Sequence, residues 1–388
     1  MKICTVICEY SPFHRGHEYL ISDLKSRGYA VISLMSGSFT QRGEAAVISK
    51  YKRAEAAIRC GADLVLELPF PYCALGATEF AQSGVYIANA LSCTDVLAFG
   101  SECGNTDIIV ETAKNILSDE FGARMSSLAA GENYAKSFSA AYEELFGKSE
   151  ALAGSNDILG VEYVKTIISL GSSVKPLAIK RTGQSFSGDG DGFISASTAR
   201  EMIYSGKLDE LKNLLPAPSC KILTEEKENG RTAETSRLFL PYAAFFRLSS
   251  PDDFDGIAEM NDELAARTCS SARNAKSFDE LISLSKTKLY SESRIKRAML
   301  CAFLSVREVS FPSFTVLLGA NEVGREILRK IKKGSDFPII TKPADHALFG
   351  DKVKEDFDVM SRAEALWTLC LEKPEKAGYH IEFSPYIQ

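Results

Sequence analysis

Strand and helix signals alternate over the first 200 residues of this 388-residue chain. Five short runs rich in Val, Ile and Leu are typical of parallel strands buried on both faces. They cover residues 2–7, 29–34, 62–68, 94–99 and 174–180. Helical periodicity lies at 17–27, 50–60, 77–91, 105–117, 132–146 and 157–170. Because such units join through right-handed crossovers, the pattern predicts a doubly wound parallel sheet of the α/β class, with ligands beyond the carboxyl ends of its strands.

The pattern changes after about residue 205. Residues 206–239 contain a Leu-Leu-Pro-Ala-Pro run and a charged, Gly-containing stretch, which indicates a linker or excursion. Further helices are predicted at 256–266, 277–286, 291–304, 321–333 and 361–371. The sequence therefore predicts an α/β domain over 1–205, a linker or excursion over 206–239 and a mainly α-helical domain over 240–388.

Composition excludes several classes of protein. Hydrophobic residues make up 45% and charged residues 25%, which is ordinary for a globular chain. No apolar run reaches the roughly 18 residues that span a membrane, and the apolar start at residues 3–7 is too short for a signal peptide. From these two observations we expect a cytoplasmic location. The ten cysteines form no CxxC pair and only four histidines occur, so we expect reduced thiols and no structural zinc in such a chain.

Charge is unevenly distributed along the chain. The net charge is −6, and residues 1–200 carry 18 Lys and Arg against 22 Asp and Glu. Residues 281–335 instead carry 11 basic against 4 acidic residues. A local basic segment in an acidic protein is compatible with a specific polyanionic partner, and equally with a helix face exposed to solvent.

Two histidines follow the first predicted strand, in Pro12-Phe13-His14-Arg15-Gly16-His17. They lie at the start of a helix, where free backbone N–H groups suit an anionic phosphate. Gly16 lets a ligand approach the backbone closely. Both imidazoles can donate hydrogen bonds as charge develops in a displacement at phosphorus. The alternatives are a pair of surface histidines or half of a metal site, for which no third ligand is evident.

This motif resembles the HxGH signature of the HIGH-type nucleotidyltransferase superfamily, and the segment 194–200 (Ile-Ser-Ala-Ser-Thr-Ala-Arg) resembles its second signature, ISSTxxR. Four further segments, together with Glu9–His14, resemble the tRNA(Met) cytidine acetate ligase family more narrowly. They are Met35–Glu44, Asp63–Phe70, Phe99–Glu102 and Ser155–Gly160, and the resemblance covers residues 1–205 in order.

The resemblance implies an enzyme that uses ATP and acetate to form acetyl-adenylate, with release of pyrophosphate. It then transfers the acetyl group to N4 of the wobble cytidine of elongator tRNA(Met). The implied fold is a Rossmann-like HIGH nucleotidyltransferase domain with a doubly wound parallel sheet, followed by a mainly α-helical, tRNA-binding domain. ATP is the implied substrate, accompanied by Mg²⁺, with no metal held by the protein alone and no contact with a membrane.

The resemblance also assigns site residues, with His14 and His17 as the catalytic pair. The implied ATP-binding residues are Ile7, Cys8, Glu9, Tyr10, Ser11, Pro12, Phe13, His14, Arg15, Gly16, His17, Glu18, Tyr19, Leu20, Gly100, Asn156 and Arg181. Possible phosphate contacts are Arg42, Ser195, Ser197 and Arg200. Lys50 and Arg53 share one helix face and reach either the same pocket or solvent.

The basic segment near residue 290 matches the character of the family's tRNA-contacting region, with an aromatic residue at Tyr290. Its candidate tRNA-binding residues are Lys286, Lys288, Arg294, Lys296 and Arg297. A second basic cluster comprises Arg325, Arg329, Lys330, Lys332 and Lys333.

The chain departs from the family pattern at Ser11, where the family has Asn, and at Ala320, where it has Phe. Residues 258–264 have no clear counterpart. Two other readings therefore stay open: a nucleotidyltransferase that adenylylates another small metabolite, and a non-catalytic nucleotide- or RNA-binding paralogue.

Overall fold

The computed structural model describes residues 1–128, 134–181, 194–379 and 384–388. Within these ranges the chain forms eight strands and sixteen α-helices. The strands are β1 (Lys2–Cys8), β2 (Tyr29–Ser36), β3 (Leu64–Leu68), β4 (Val96–Ser101), β5 (Lys175–Lys180), β6 (Thr315–Ala320), β7 (Ile339–Ile340) and β8 (Tyr386–Ile387).

The helices fall into two groups. Those of the first 205 residues are α1 (Arg15–Ser26), α2 (Lys50–Arg59), α3 (Ala77–Ala90), α4 (Thr106–Ile116), α5 (Asp119–Ser126), α6 (Tyr134–Phe146), α7 (Ser155–Ser169) and α8 (Ala196–Tyr204). Those beyond are α9 (Leu208–Leu211), α10 (Ala217–Glu228), α11 (Phe239–Leu248), α12 (Asp262–Asn274), α13 (Phe278–Ser285), α14 (Glu292–Phe303), α15 (Glu322–Gly334) and α16 (Asp351–Trp367).

The five predicted strands, β1 to β5, pair in parallel within one sheet. The strand order of that sheet is β5-β4-β1-β2-β3-β6-β7, and β8 pairs with β6. The chain winds from β1 through β2 to β3 on one side, whereas β4 and β5 lie on the other. The direction of winding therefore reverses between β1 and β4. This is the switch point at which a doubly wound sheet leaves a crevice beyond its carboxyl ends. The predicted Rossmann-like architecture is confirmed.

The central strand β1 is buried on both faces. Ile3 and Ile7 point into one hydrophobic core, and Cys4, Val6 and Cys8 point into the other. This alternation follows from the two-residue period of a strand. Two apolar layers thus fix β1 in the middle of the sheet, and its carboxyl end delivers Glu9 and the histidine motif to the switch point.

Strand β6 pairs antiparallel with β3. The sheet is therefore mixed, whereas the sequence pattern predicted parallel strands and assigned none to residues 315–320. All six residues of β6 are buried. A short apolar run between helical patterns has no periodicity that separates a strand from a buried helix turn, so β6 is recognisable only from its partner β3.

The remaining predicted helices agree with the structure except for 256–266 and 361–371, which correspond to α12 (Asp262–Asn274) and α16 (Asp351–Trp367) and are displaced at both ends. Helix α12 begins at Asp262 rather than near 256, because the Asn261 side chain caps it by accepting the Leu264 N–H and because Glu259 has a positive φ of 65°. Helix α16 begins at Asp351, ten residues before its predicted start. The first two residues of the predicted helix 132–146 lie outside the described residues.

Both hydrophobic cores take side chains from each half of the chain. The core on one face of β1 extends to Phe246 and Met299, and the core on the other includes Leu223 and Phe357. Residues 206–239, predicted as a linker or excursion, include α10, which packs against α2. The domain borders at 205 and 240 stay a prediction. In the described part of the chain, no helix is both long and apolar enough to cross a bilayer.

Candidate active site

A cavity of about 580 Å³ opens at the switch point, beyond the carboxyl ends of β1 and β4. Its floor comes from the end of β1, with Ile7, Cys8 and Glu9, and from Gly100 at the end of β4. A volume of this size suits a small organic ligand such as a nucleotide.

Three helix starts border the cavity. Gly16 belongs to the first turn of α1, Asn156 to that of α7 and Ala196 to that of α8, and all three residues line it. The free N–H groups at a helix start carry a partial positive charge. Three such ends facing one cavity create a strong preference for an anionic ligand.

His14 and His17 stack on each other with ring centroids 3.6 Å apart and an interplanar angle of 17°. His14 is the N-cap of α1, where its Nδ1 accepts the Gly16 N–H at 3.1 Å. His17 Nδ1 in turn accepts the His14 backbone N–H at 3.2 Å. Because both Nδ1 atoms act as acceptors, the ring proton of each neutral imidazole lies on Nε2. The motif thus holds two Nε2–H donors in fixed positions.

Both histidines are held in the neutral form. Burial lowers the pKa of His14 to about 4, and the positive charge of Arg181 contributes to the same shift. Burial also lowers the pKa of His17 well below its ordinary value, helped by His14 and Arg181. Near neutral pH, the pair therefore acts as hydrogen-bond donors to a ligand rather than as cations.

This neutrality predicts a loss of stability in acid. Between pH 6.5 and about 4, the His14 imidazole is protonated in the unfolded chain but neutral in the folded protein. The free energy of unfolding therefore falls as the pH falls through this window. His14→Asn retains a capping acceptor but cannot titrate. We expect the variant to lose about 1–3 kcal/mol less than the wild type between pH 7 and pH 4.5 in urea unfolding. Equal losses of unfolding free energy in the variant and the wild type would contradict the neutral state assigned to His14.

Cationic side chains border the anion-binding side of the cavity. Arg42, Lys180 and Arg181 all line it. Asn156 bridges two groups there: its Nδ2 donates to Glu102 Oε1 at 2.6 Å, and its Oδ1 accepts from Arg181 at 3.4 Å. These contacts orient Arg181 towards the space that the helix starts enclose.

The opposite wall of the cavity is apolar. Phe80, Phe99, Leu159 and Tyr163 line it, and the rings of Phe99 and Tyr163 lie 5.7 Å apart. A Cβ on Gly160 would approach the Phe99 ring to 2.5 Å, so the glycine allows α7 to pack against β4. None of these four residues was predicted as part of the site, although Phe99 directly precedes the predicted Gly100. Such a wall suits the flat face of an aromatic ring.

Most of the predicted ATP-binding residues line the cavity, but four described residues of the segment 7–20 do not. They are Pro12, Phe13, Arg15 and Glu18. Phe13 is instead buried 4.8 Å from the ring of Tyr10 and 5.5 Å from that of His17, so it supports the motif from behind. Of the possible phosphate contacts, Arg42 and Ser195 line the cavity, and Ser197 and Arg200 do not.

Arg200 is engaged elsewhere. Its guanidinium donates to the Ser11 carbonyl oxygen at 2.9 Å and forms an ion pair with Glu44 at 3.1 Å. These bonds hold the chain beside the histidine motif, and the expected phosphate contact of Arg200 stays a prediction.

Lys50 and Arg53 reach neither the pocket nor solvent. Lys50 is buried between the carboxylates of Glu67, at 2.8 Å, and Glu364, at 3.0 Å. Arg53 is fully buried and donates to the carbonyl oxygens of Glu9, Ser36, Gly37 and Ile48. It thereby ties the ends of β1 and β2 together behind the cavity.

Comparisons with known proteins agree with this geometry. The model of a family described as HIGH Nucleotidyl Transferase matches residues 1–380. The tRNA(Met) cytidine acetate ligase of Caldanaerobacter subterraneus subsp. tengcongensis is 33% identical over 89% of this chain and 90% of its own length. That of Listeria monocytogenes serotype 4a is 31% identical over 98% of each. The crystal structure of Thermotoga maritima TmcAL bound with alpha-thio ATP is 30% identical, has a TM-score of 0.92, and covers 100% of this chain and 99% of that one.

The chain belongs to the tRNA(Met) cytidine acetate ligase family. The resemblance predicted from the sequence is thereby confirmed for both halves of the chain, including the half that departs from the family pattern.

The basic residues assigned to tRNA in this ligase-family chain differ in accessibility. Lys286 and Lys288 are exposed, and Lys286 pairs with Glu292 at 2.6 Å. The guanidinium of Arg294 lies over the ring of Tyr290, 5.4 Å from its centroid. This part of the surface, defined by Lys286, Lys288 and Arg294, is called the basic corner below.

Lys296 and Arg297 each form an ion pair within the protein. Lys296 pairs with Glu44 at 2.7 Å. Arg297 is buried, with 8% of its surface exposed, and pairs with Glu259 at 3.1 Å. Both cations neutralise carboxylates inside the molecule, and their role in tRNA binding stays a prediction. The second basic cluster, on α15, is exposed throughout.

No group of three or more His, Cys, Asp and Glu side chains in the described ranges could hold a metal ion. Glu9 and Ser11 are oxygen-bearing side chains of the cavity lining, and Glu9 Oε1 already accepts the Gln41 N–H at 2.7 Å. Burial raises the pKa of Glu9. Mg²⁺ commonly binds through substrate phosphates and water, so these oxygen-bearing side chains would fit an ion that enters with a nucleotide.

Proposed function

We propose that this protein activates acetate with ATP and transfers the acetyl group to N4 of the wobble cytidine of elongator tRNA(Met). The observation that carries the proposal is the His14–His17 pair, which carries two Nε2–H donors and lines a cavity bordered by three helix starts. Membership of the ligase family supplies the identity of the two acceptors, acetate and tRNA.

In the first step, an acetate oxygen attacks the α-phosphorus of ATP. The new P–O bond forms as the bond to the pyrophosphate oxygen breaks, and the products are acetyl-adenylate and pyrophosphate. Negative charge accumulates on the phosphoryl oxygens, where His14, His17 and the helix-start N–H groups donate. Arg42 and Arg181 lie where they can neutralise the leaving pyrophosphate. The apolar wall, with Phe99 and Tyr163, accommodates the adenine ring.

In the second step, N4 of cytidine attacks the carbonyl carbon of acetyl-adenylate. The C–N bond forms, the bond from that carbon to the phosphate oxygen breaks, and AMP leaves. The nitrogen gives up one proton to the surrounding solvent or to the departing phosphate. Because the wobble base must reach the cavity, the nucleotide has to be unpaired, as it is in an anticodon loop.

The test is acetate-dependent ATP–pyrophosphate exchange, followed by mass spectrometry of nucleosides from tRNA incubated with ATP and acetate. We expect exchange only with acetate and N4-acetylcytidine only with tRNA(Met). Exchange with a different acid and none with acetate would favour adenylylation of another metabolite. No exchange with any acid would favour the non-catalytic reading.

The basic corner is part of the proposal, as a contact for tRNA phosphates. Lys288→Gln removes an exposed charge, and we expect it to weaken tRNA binding severalfold and to reduce the salt slope of binding by about one. Exchange without tRNA should not change. Lys148→Gln, at an exposed lysine paired with Glu143 at 3.6 Å, serves as the control. Identical salt slopes for Lys288→Gln and wild type would remove the basic corner from the proposal.

Two further elements complete the proposal. Mg²⁺ accompanies ATP, where it would offset the charge of the phosphates. The protein acts in the cytoplasm, a location supported by the state of its ten cysteines, all of which are free thiols.

A further inference from the structure

The loop of residues 41–44, which follows β2, lies against the cavity on one side. The Gln41 backbone N–H donates to Glu9 Oε1 at 2.7 Å, and Arg42 lines the cavity. On this side, the 41–44 loop therefore holds the carboxylate of Glu9, one of the polar residues that line the cavity.

The same loop lies against α14 on its other side. Gly43 has a φ of +72°, and a Cβ there would approach the Arg297 backbone nitrogen to 2.6 Å. The Gln41 carbonyl oxygen accepts from the Arg297 guanidinium at 3.4 Å. Only glycine permits this backbone and this approach, so the loop and α14 are in direct contact.

Glu44 joins the two sides. Its Oε1 accepts from Lys296 of α14 at 2.7 Å, and its Oε2 accepts from Arg200 of α8 at 3.1 Å. Arg200 also donates to the Ser11 carbonyl oxygen of the histidine motif at 2.9 Å. Burial would raise the pKa of Glu44, but Lys296, Arg200 and Arg42 outweigh it and hold the pKa below its ordinary value. The bridge is thus an ionised carboxylate between two cations.

We propose that Glu44 is a positioning residue that fixes α14 relative to the histidine motif, and that acetyl transfer to RNA depends on this bridge whereas adenylate formation does not. The inference rests on the proposed function. Adenylate formation uses groups of the cavity alone. Acetyl transfer additionally requires that an RNA bound at the basic corner, which adjoins α14, brings its cytidine within bonding distance of the acetyl carbon, and small misplacements are costly in such a step.

The test is a double-mutant cycle with Glu44→Gln, Lys296→Gln and the double variant. Two rates are measured: acetate-dependent exchange without tRNA, and acetyl transfer in a single turnover at saturating tRNA. Each single variant is expected to slow transfer on the order of tenfold while exchange stays within about twofold. Because both remove the same bridge, the double variant should be no slower than the slower single variant. Lys212→Gln, at an exposed lysine paired with Asp209, is the matched control.

Three outcomes would overturn the inference: equal losses in exchange and transfer, multiplicative losses in the double variant, or normal transfer. Transfer by Lys296→Gln is also measured at subsaturating tRNA, and a loss confined to that condition would overturn the inference by showing that Lys296 contacts RNA directly. If Glu44→Gln does not fold, Lys296→Gln alone still separates the two rates. Absence of acetate-dependent exchange in the wild type would refute the proposed function instead. That result comes from the wild-type exchange assay and not from the comparison of variants.

Discussion

Replacing His17 with alanine is expected to lower acetate-dependent ATP–pyrophosphate exchange by about 10²–10³-fold. The substitution removes one Nε2–H donor from the cavity. It also removes the ring that stacks on His14 at 3.6 Å and the Nδ1 acceptor for the His14 backbone N–H. The remaining donor therefore loses its orientation as well. Exchange kinetics at several ATP concentrations measure the effect, which should fall mainly on kcat because the donors act most strongly on charge that develops during the displacement.

The chain supplies a matched control for this experiment. His346 lies outside the cavity, stacked on Phe357 with ring centroids 4.3 Å apart, and its Nδ1 is 2.7 Å from the Pro343 carbonyl oxygen. His346→Ala should leave the exchange rate unchanged. A loss below tenfold in His17→Ala, or a similar loss in both variants, would argue against a catalytic role for the pair.

Replacing Lys50 with methionine is expected to lower the free energy of unfolding by about 3–5 kcal/mol. Burial alone would lower the pKa of Lys50, but Glu364 and Glu67 outweigh it and raise the pKa, so the lysine is charged. Its removal leaves two carboxylates facing each other in the core, with side chains only 5% and 0% exposed. Lys148→Met, at a side chain that is 86% exposed, should change stability by less than about 0.5 kcal/mol.

The pH dependence of the Lys50→Met variant separates this cause from a simple packing defect. Two buried carboxylates that have lost the cation between them have raised pKa values, and a group of that kind stabilises the fold at low pH and loses its contribution as the pH rises. Urea unfolding should therefore show that the Lys50→Met substitution lowers the free energy of unfolding less at pH 5 than at pH 8. A penalty that is equal at both pH values, or below about 1 kcal/mol, would contradict the account.

Features that depend on neighbours in sequence could be predicted from the sequence. The histidine motif is such a feature, because strand end, N-cap and both imidazoles lie within ten residues of each other. The strand–helix alternation likewise follows from local periodicity. Gly100 and Asn156 were predicted from the family resemblance, and the topology agrees with that assignment because it brings strand ends and helix starts to one edge of the sheet.

Features that depend on distant partners could not be predicted. Arg200 carries the residue type of a phosphate contact, but its partner Glu44 lies 156 positions away, and Lys296 binds the same carboxylate from 252 positions away. Lys50 was expected to reach either the ligand pocket or solvent, whereas its partner Glu364 comes from α16 near the other end of the chain. No local pattern distinguishes a lysine that faces solvent from one that neutralises a buried carboxylate.

The antiparallel strand β6 has a consequence for how the protein is made. A growing chain completes β3 at residue 68, where β2 pairs with one edge of it, but the partner of its other edge, β6, follows only at residues 315–320, about 250 residues later. Until then, the β3 edge carries unpaired backbone groups on an apolar strand, the kind of edge that recruits other chains. During translation, the catalytic half therefore emerges from the ribosome with one edge of β3 unpaired, and that edge stays unpaired until β6 has been synthesised. Nascent chains that stall before residue 315 would be aggregation-prone and in need of a chaperone, even though the histidine motif is already complete.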